Sequence, residues 1–250
     1  MKQFNSILQW QNENLDKKSS LGFVPTMGAL HEGHTSLVQR SLKENGSTLV
    51  SIFLNPTQFN NASDLETYPS HLEKDLEILR SLGVTYVLTP NYEELYPDNY
   101  NFKITESTLS QGLCGKHRPG HFDGVLTVVM KLLNITSADR AYFGEKDYQQ
   151  YLLIKNMAEA FFLKTEIISC PTVRDSDHLA LSSRNEKLTP EQRVLAPELF
   201  QALTQSESTS EALTRLKDLG FTPDYVEDYE GRRFGAASLG QVRLIDNVEI

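Results

Sequence analysis

Apolar runs of four to seven residues recur along the first 170 residues of the chain. They cover 21–24, 48–54, 84–88, 140–143 and 165–169. Runs of this length with little polar interruption are typical of parallel strands that are buried on both faces. Between them, apolar residues return every three or four positions, as they do on a helix with one buried face. Strands that alternate with helices predict an α/β fold with a Rossmann-like parallel sheet.

Smaller elements are predicted from the same pattern. Residues 71–82 form a helix that presents Leu72, Leu76 and Leu79 to the core, with Gly83 as its stop signal. Residues 3–14 are predicted as an amphipathic helix, and 102–105 as a short strand. The residues on the apolar side of the first helix are Phe4, Ile7, Leu8 and Trp10.

The pattern changes after about residue 174. Thr189 and Pro190 have the sequence of a helix N-cap and first helical position, and a helix is predicted to run from there to about residue 203. Another helix is predicted over 211–219. Apolar and other residues alternate at 242–245, which indicates strands of a small sheet. We therefore expect a smaller C-terminal α+β domain. The predicted domains are 1–174 and 175–250.

The first strand leads into the most informative loop. Pro25 cannot donate a ladder hydrogen bond, so we expect the strand to end there. His31 and His34 follow, and a helix is predicted to begin near Gly33. Free N–H groups at a helix N-terminus bind anions, and two imidazoles beside them could donate to phosphate oxygens. The alternative is a pair of ordinary loop histidines.

Other polar loops leave from the same edge of the predicted sheet. Gln58 follows the second strand, Lys146 and Asp147 follow the fourth, and 182–184, Ser-Ser-Arg, follows the fifth. In an open parallel sheet, ligands bind at the carboxyl ends of the strands. Lys146 could neutralise phosphate and Asp147 could bind ribose or hydrated Mg²⁺. Each loop alone is also compatible with a surface turn or, for the serines, a helix cap.

A glycine-rich stretch, 112–124, contains lysine, arginine and histidine ahead of an apolar helix over 125–133. It is either a second anion-facing element or a tight turn with solvated basic residues. The chain has neither G-x-x-x-x-G-K-[ST] nor G-x-G-x-x-G. Any nucleotide chemistry therefore depends on the histidine loop and its neighbours, which together indicate a nucleoside triphosphate and a small polar substrate.

Composition narrows the class of protein. A net charge of −9 argues against a general nucleic-acid or membrane-surface binder. Cys114 and Cys170 are the only cysteines, which fits neither a disulfide framework nor a zinc site and favours a reducing cytoplasm. The first 18 residues lack the apolar segment of a signal peptide. No run approaches the roughly 20 apolar residues of a membrane span.

Five motifs occur in an order that resembles the pantoate–β-alanine ligase family. They are TMGALHEGH, FLNPTQF, RPGHFDGV, FGEKDYQQ and LALSSRN, within residues 20–190. The H-x-G-H and Ser-Ser-Arg elements are also similar to those of the nucleotidyltransferase superfamily. The resemblance implies that pantoate is adenylated by ATP with Mg²⁺ and that β-alanine then displaces AMP. It also implies a homodimer, with 1–174 binding nucleotide and pantoate and 175–250 as a shortened lid domain.

The same resemblance implies roles for individual residues. His34, His31, Lys146 and Arg184 would be catalytic, Gln58 and Gln150 would bind the substrates, and no side chain would be a metal ligand. The ATP-binding residues would be Met27, Gly28, Ala29, Leu30, His31, Glu32, Gly33, His34, Gly144, Glu145, Lys146, Asp147, Val173, Leu181, Ser182, Ser183 and Arg184.

Two positions depart from the family pattern: His178 replaces glycine and Thr57 replaces methionine. Because histidine at positive φ is costly, the loop at His178 is expected to take another path. Two other functions stay open. The chain could be a nucleotidyltransferase that stops at an adenylated product, or a nucleotide-binding homologue with impaired catalysis. Gln58 and Gln150 favour the ligase.

Overall fold

A computed structural model describes residues 1–13 and 19–250 of the chain. Among these residues, no helix combines the length and the apolar character needed to cross a bilayer. The strands are β1 Lys2–Phe4, β2 Leu21–Thr26, β3 Ser47–Ile52, β4 Tyr86–Leu88, β5 Arg140–Gly144, β6 Glu166–Cys170, β7 Thr222–Tyr229, β8 Arg232–Leu239 and β9 Val242–Glu249. The helices are α1 Ile7–Gln11, α2 Glu32–Glu44, α3 Ala62–Glu66, α4 Leu72–Ser81, α5 Tyr92–Leu95, α6 Leu113–His117, α7 His121–Thr136, α8 Tyr148–Ala160, α9 Pro190–Leu195, α10 Glu198–Gln205 and α11 Thr209–Asp218.

Six strands form one parallel sheet in the order β1-β4-β3-β2-β5-β6. From β2, the next two strands along the chain, β3 and β4, are added on one side of the sheet. The following two, β5 and β6, are added on the other side of β2. The predicted α/β fold with a Rossmann-like sheet is confirmed. Its order reverses between β2 and β5, and this switch point is where open sheets of this kind form a binding crevice.

Apolar residues cover both faces of the sheet, because neighbouring residues of a strand point to opposite sides. Phe23 belongs to the core beneath α7 and α8, whereas Val24 belongs to the core beneath α2 and α4. All four helices therefore stabilise the strand that carries the histidine loop.

The strand β2 continues through Pro25, so the predicted end at that residue is wrong. The Leu21 carbonyl accepts a hydrogen bond from Asp139 on the β5 side, and alternate residues of a strand share a side. Pro25 therefore faces the β5 side, two residues beyond the last registered pair, Phe23 with Ala141. Its missing N–H removes no hydrogen bond from the ladder.

The N-terminal segment is not the helix predicted over 3–14, whose last residue lies outside the described residues. It starts as strand β1, which pairs with β4, and only Ile7–Gln11 is helical after the N-cap Ser6. Phe4 and Trp10 are buried as expected, but Leu8 is 66% exposed. Strand pairing at the sheet edge has overridden the helical spacing in this short segment.

Four further predictions differ from the structure. Residues 102–105 form no strand, and Phe102 is 79% exposed. Leu72 of α4 is 39% exposed rather than buried. The glycine-rich stretch 112–124 is largely helical, since α6 and the start of α7 occupy it. The helix predicted from Pro190 to about 203 is divided at Pro197 into α9 and α10.

The C-terminal part has its own small sheet. Strands β7, β8 and β9 pair antiparallel, and α10 and α11 pack against them around Leu199, Leu203 and Leu216. The predicted α+β character of this part is confirmed. Tyr225 and Phe234 belong instead to the core of the parallel sheet, so the two parts share apolar contacts.

Gly124 allows α7 to pack directly on the backbone after β3. A Cβ at this position would lie 2.4 Å from the Thr57 carbonyl oxygen and 2.7 Å from the Gln58 nitrogen. Neither backbone atom can rotate away, so the loop or the helix would have to shift.

We expect Gly124→Ala to lower the free energy of unfolding by about 1–3 kcal/mol, as overpacked cores do. Gly144→Ala is the matched control, because a Cβ there meets no atom within 4 Å and should change stability by less than about 0.5 kcal/mol. Urea unfolding monitored by circular dichroism measures both. Equal stability of the two variants would contradict the close packing at Gly124.

Candidate active site

A cavity of about 240 Å³ lies at the carboxyl ends of β2 and β5, at the switch point of the sheet. Its apolar wall comes from α7 and from the residue that follows β3. The apolar residues there are Phe53, Val125, Val128, Val129 and Leu132. Its polar wall comes from the loops after β2, β3, β5 and β6. The arrangement suits a small ligand with one apolar side and one anionic side.

His31 and His34 cap the helix that begins at Glu32. His31 Nδ1 accepts a hydrogen bond from Gly33 N at 3.1 Å, and His34 Nδ1 accepts one from His31 N at 3.4 Å. Each neutral ring must therefore carry its proton on Nε2, a tautomer assigned from these hydrogen bonds. The centroids of the two rings lie 4.1 Å apart, and both residues line the cavity.

Both histidines are neutral donors at pH 7. Burial, together with the nearby Lys146 charge, lowers the pKa of His31 to about 4. Burial and the neighbouring His31 lower the pKa of His34 to about 3. The expected free N–H groups are only partly present, because Gly33 donates to His31 Nδ1, and His34 and Thr35 donate to the His31 carbonyl. An anion here would therefore meet imidazole donors more than helix N–H groups.

The loop before these histidines is held from behind by a buried carboxylate. Asp75 of α4 accepts hydrogen bonds from Ala29 N and Leu30 N, both at 2.8 Å. Gly28 and Ala29 have φ of 84° and 51°, so the two amides turn inward toward that carboxylate. Sequence reasoning missed Asp75. Its signal was an acidic residue on the apolar face of α4, beside Leu76.

Gln58 is positioned by a second buried polar residue, Asn55. Asn55 Nδ2 donates to Gln58 Oε1 at 2.9 Å, and Tyr96 Oη donates to Asn55 Oδ1 at 2.8 Å. Gln58 Nε2 lies 3.3 Å from Met27 Sδ, and both residues line the cavity. Burial raises the pKa of Tyr96 to about 12, so its hydroxyl remains a donor. Sequence analysis did not single out Asn55.

The loop after β5 brings a cation and an anion into the cavity. Lys146 Nζ lies 3.6 Å from Asp147 Oδ2. Burial opposes ionisation of Asp147, but the Lys146 and Arg184 charges outweigh it and lower the pKa of the carboxyl. Asn247 of β9 donates to the carbonyls of Glu145 and Lys146 at 2.8 and 3.1 Å. The C-terminal sheet thus fixes the backbone of this loop.

The two serines after β6 line the cavity, and Ser182 also caps a short helix. Ser182 Oγ accepts from Arg184 N at 3.3 Å and caps a short 3₁₀ helix, as the alternative interpretation expected. Ser183 Oγ donates to Tyr68 Oη at 3.1 Å, and burial raises the pKa of Tyr68. Arg184 pairs with Asp64 at 2.9 Å. Tyr68, which sequence reasoning missed, joins this segment to the loop after β3.

His178 keeps the backbone that a glycine would adopt. Its φ is 73°, so the expected change of path is wrong. The loop turns back on itself, because Arg174 bridges to Ala180 and Asp175 N bonds the Leu179 carbonyl. The His178 ring stacks on Phe200 of α10, with centroids 5.1 Å apart. This stacking compensates part of the strain at positive φ.

Most of the predicted site residues line this cavity. They are Met27, His31, Gly33, His34, Gln58, Gly144, Lys146, Asp147, Gln150, Val173, Leu181, Ser182, Ser183 and Arg184. The predicted residues that do not line it are Gly28, Ala29, Leu30, Glu32 and Glu145. Gly28 to Leu30 lie in the buried turn held by Asp75, Glu32 is exposed, and Glu145 lies 3.4 Å from Arg232.

A second cavity of about 480 Å³ opens beside the first, between the loops and the C-terminal sheet. Arg118, Lys146, Asp147, Ser182 and Arg184 line both. Across residues 1–13 and 19–250, no group of three or more histidine, cysteine, aspartate or glutamate side chains could hold a metal ion. The two cavities together can accept an extended anionic ligand and a smaller polar one.

Comparisons with known sequences place this geometry in a family. A family model described as Pantoate-beta-alanine ligase matches residues 1–249. The Pantothenate synthetase of Bdellovibrio bacteriovorus is 53% identical over 234 residues, which cover 94% of this chain and 93% of that protein. The Pantothenate synthetase of Legionella pneumophila is 49% identical over 249 residues, 99% of each chain.

Solved structures agree with the sequence comparison. A Pantoate-beta-alanine Ligase from Francisella tularensis, complexed with Beta-gamma ATP and Beta-alanine, has a TM-score of 0.96 and 43% identity, covering 100% of this chain and 97% of that one. A Pantothenate Synthetase from Thermus thermophilus has a TM-score of 0.91 and 37% identity, covering 100% of this chain and 99% of that one. The chain belongs to the pantoate–β-alanine ligase family.

Proposed function

We propose that the chain condenses pantoate with β-alanine in two steps, using ATP and forming pantoyl adenylate between them. The observation that carries this proposal is the cavity at the switch point, where neutral imidazole donors, three cations and three amide side chains converge. That set fits a phosphate and a small hydroxy acid together. If the chain were a nucleotidyltransferase that stops after adenylation, the presence of the Gln58 and Gln150 side chains in the cavity would have no explanation.

In the first step, a pantoate carboxylate oxygen attacks the α-phosphorus of ATP. The new P–O bond forms as the bond to the β-phosphate breaks, and pyrophosphate leaves. Negative charge grows on the phosphate oxygens in the transition state, so fixed donors accelerate the step. His34 and His31 would donate through Nε2–H, while Lys146 and Arg184 would balance the charge of the leaving group.

In the second step, the uncharged amine of β-alanine attacks the acyl carbon of pantoyl adenylate. The C–O bond to AMP then breaks, and the amine proton passes to solvent. No protein nucleophile is required, because adenylation has already supplied a good leaving group. The protein's contribution to this step is to align the amine with the acyl carbon.

Gln58 and Gln150 would hold pantoate by its hydroxyl and carboxylate groups. Gln58 is pre-oriented by Asn55, and the apolar wall from α7 would pack against the gem-dimethyl group of the substrate. Thr57 is not among the residues that line the cavity, and its hydroxyl donates to Asn55 Oδ1 at 3.0 Å.

Mg²⁺ would enter with ATP rather than through a protein cage. Asp147 is the carboxylate in the cavity, and its lowered pKa keeps it ionised to accept a water of the hydrated ion. When bound, Mg²⁺ neutralises part of the charge on the phosphate groups. The remaining residues in contact with the nucleotide would be the turn at Met27, the backbone at Val173 and the segment 181–184.

The two predicted domains would move relative to each other during turnover. Residues 1–174 would bind nucleotide and pantoate, and 175–250 would form a lid. Contacts that would keep the lid closed include Arg174 with Asp246 at 2.6 and 2.8 Å and Asn247 with the loop after β5. We also propose that two copies of the chain form a homodimer through the nucleotide-binding part. A cytoplasmic location is proposed because the two cysteines, Cys114 and Cys170, are free thiols.

Pyrophosphate release from Mg-ATP tests the proposed reaction directly. With pantoate alone, we expect slow or single-turnover release, because the adenylate stays bound. Adding β-alanine should give sustained turnover with AMP and pantothenate as products. Sustained release of a free adenylated product without the amine would favour the nucleotidyltransferase. ATP binding without any release would indicate a homologue that has lost catalysis.

His34 can be tested with two variants that each imitate one ring nitrogen. His34→Asn keeps an acceptor near Nδ1 but loses the donor at Nε2, whereas His34→Gln places an amide donor near Nε2. We expect His34→Asn to lose about 10²–10³-fold in pantoate-dependent pyrophosphate release. His34→Gln should retain a larger share of the rate. Full activity of His34→Asn would remove the Nε2 donor from its assigned role.

Gln150→Ala is expected to raise the KM for pantoate by about tenfold or more, because the proposed amide hydrogen bond to the substrate is lost. The KM for ATP should change much less. Gln39→Ala, the same truncation on an exposed position of α2, serves as the control and should behave as the wild type. Steady-state kinetics with each substrate varied would decide the point. Equal losses for pantoate and ATP would count against a pantoate contact.

A further inference from the structure

Two segments that line the cavities are joined to each other by side-chain contacts. One is 64–68, in the connection after β3, and the other is 183–187, after β6. A hydrogen bond between hydroxyl groups, from Ser183 Oγ to Tyr68 Oη at 3.1 Å, forms part of this contact. Asp64 adds a negative charge to it. The steps of the proposed reaction give this carboxylate no role.

The Asp64 carboxylate faces two cations at once. Its Oδ2 lies 2.9 Å from Arg184 Nη2, and its Oδ1 lies 3.6 Å from Lys187 Nζ. Arg184 lines both cavities, whereas Asp64 and Lys187 line the second. Burial opposes ionisation of Asp64, but the hydrogen bond from Arg184 and the charges of both cations outweigh it and lower the pKa of the carboxyl. Asp64 therefore carries its negative charge at pH 7.

A third cation at the boundary of the two cavities has different partners. Arg118 Nη1 donates to His121 Nε2 at 3.0 Å, and its Nη2 donates to the Gln58 carbonyl at 3.4 Å. Burial and the Arg118 charge lower the pKa of His121 to about 3, so both of these partners are uncharged. A phosphate at this boundary would meet Arg118 without competition from them. It would have to share Arg184 with the Asp64 carboxylate.

We infer that Asp64 is an internal counter-ion that competes with pyrophosphate for Arg184 and Lys187, and so limits how tightly the leaving group is retained. This inference rests on the proposed function. A guanidinium has donors enough to bond a carboxylate and a phosphate together, but the two anions repel each other. Once the bond to the α-phosphate is broken, the nucleoside no longer holds pyrophosphate in place. The surrounding cations then hold it, and the Asp64 charge weakens their hold.

The competing explanation is that Asp64 only ties the two segments together. Other contacts already do this, since Ser183 bonds Tyr68 and Lys187 Nζ donates to Thr67 Oγ1 at 2.9 Å. The side chains of Asp64 and Arg184 are 32% and 26% exposed. Ion pairs with this much solvent access contribute little to stability. Removal of the Asp64 charge should therefore alter anion binding more than folding.

Asp64→Asn tests the inference, because asparagine keeps the shape and an acceptor oxygen but removes the charge. Titration calorimetry with inorganic pyrophosphate and Mg²⁺ should give a Kd about three- to tenfold lower than that of the wild type, the size of effect expected for partly exposed charges. Added pyrophosphate should inhibit pantothenate formation more strongly by a similar factor. The KM for pantoate should change by less than about twofold, since the Gln58 and Gln150 amides are untouched. A damaged fold would weaken binding, so tighter binding is not a structural side effect.

Two further variants and a change of salt make the result specific. Asp218→Asn removes the same charge from an exposed position at the end of α11 and should bind pyrophosphate as the wild type does. Asp64→Glu keeps the charge and should lie closer to the wild type than Asp64→Asn does. At about 1 M NaCl, where the Debye length is about 3 Å, the gain in Asp64→Asn should shrink.

The inference is overturned if Asp64→Asn binds pyrophosphate with equal or lower affinity than the wild type. An equal gain in Asp218→Asn would also overturn it, because the effect would then come from the net charge of the chain. Failure of the proposed function looks different. The wild type would then release no pyrophosphate from Mg-ATP in response to pantoate, whereas the calorimetric comparison requires no reaction.

Discussion

The reversal of strand order between β2 and β5 is the constraint on which the rest of the site depends. At that point the loops after the two strands diverge to opposite sides of the sheet, so a crevice opens between them. Helix α7 covers one side of the crevice with apolar residues and displaces water from it. The resulting desolvation keeps His31 and His34 neutral, with pKa values of about 4 and 3. They are therefore hydrogen-bond donors and not fixed positive charges, and in the proposed reaction the charge near a phosphate would come from Lys146 and Arg184.

Buried polar residues behind the cavity hold its loops in place. Asp75 holds the turn before His31, Asn55 holds the Gln58 side chain, and Asn247 holds the backbone at Lys146. Each of the three forms hydrogen bonds with backbone or amide groups that would otherwise be buried without a partner. Because these polar groups are paired, an irregular loop can be ordered. Of the three, only Asn55 lines the cavity. Rigid loops reduce the entropy lost when substrates are aligned, so in the proposed reaction these residues would contribute by preorganisation.

The C-terminal sheet contacts the loops that line the cavity. Arg174 pairs with Asp246 of β9, and the Arg174 guanidinium lies 4.4 Å from the Phe200 ring centre. His178 stacks on the same ring, so the loop after β6 contacts both α10 and β9. A lid that opened would have to break these contacts and the Asn247 bonds to the loop after β5. Its position is therefore coupled to the backbone that would bind the phosphates, which links closure to the geometry of the reacting groups.

The amino-acid pattern alone was enough to predict the fold class, the loops that carry the site and 14 of the 31 residues that line its cavity. It could do so because buried parallel strands are continuous apolar runs, and their carboxyl ends meet at one edge. It misjudged 3–14, where edge pairing of β1 outweighed helical spacing, and His178, where stacking on Phe200 accommodates a positive φ. The partners of Asp75 and Asn55, the neutral state of the histidines and the uncharged hydrogen-bond partners of the Arg118 guanidinium emerge only from the three-dimensional fold. Those properties depend on burial and on contacts between residues far apart in the chain, which local sequence patterns do not encode.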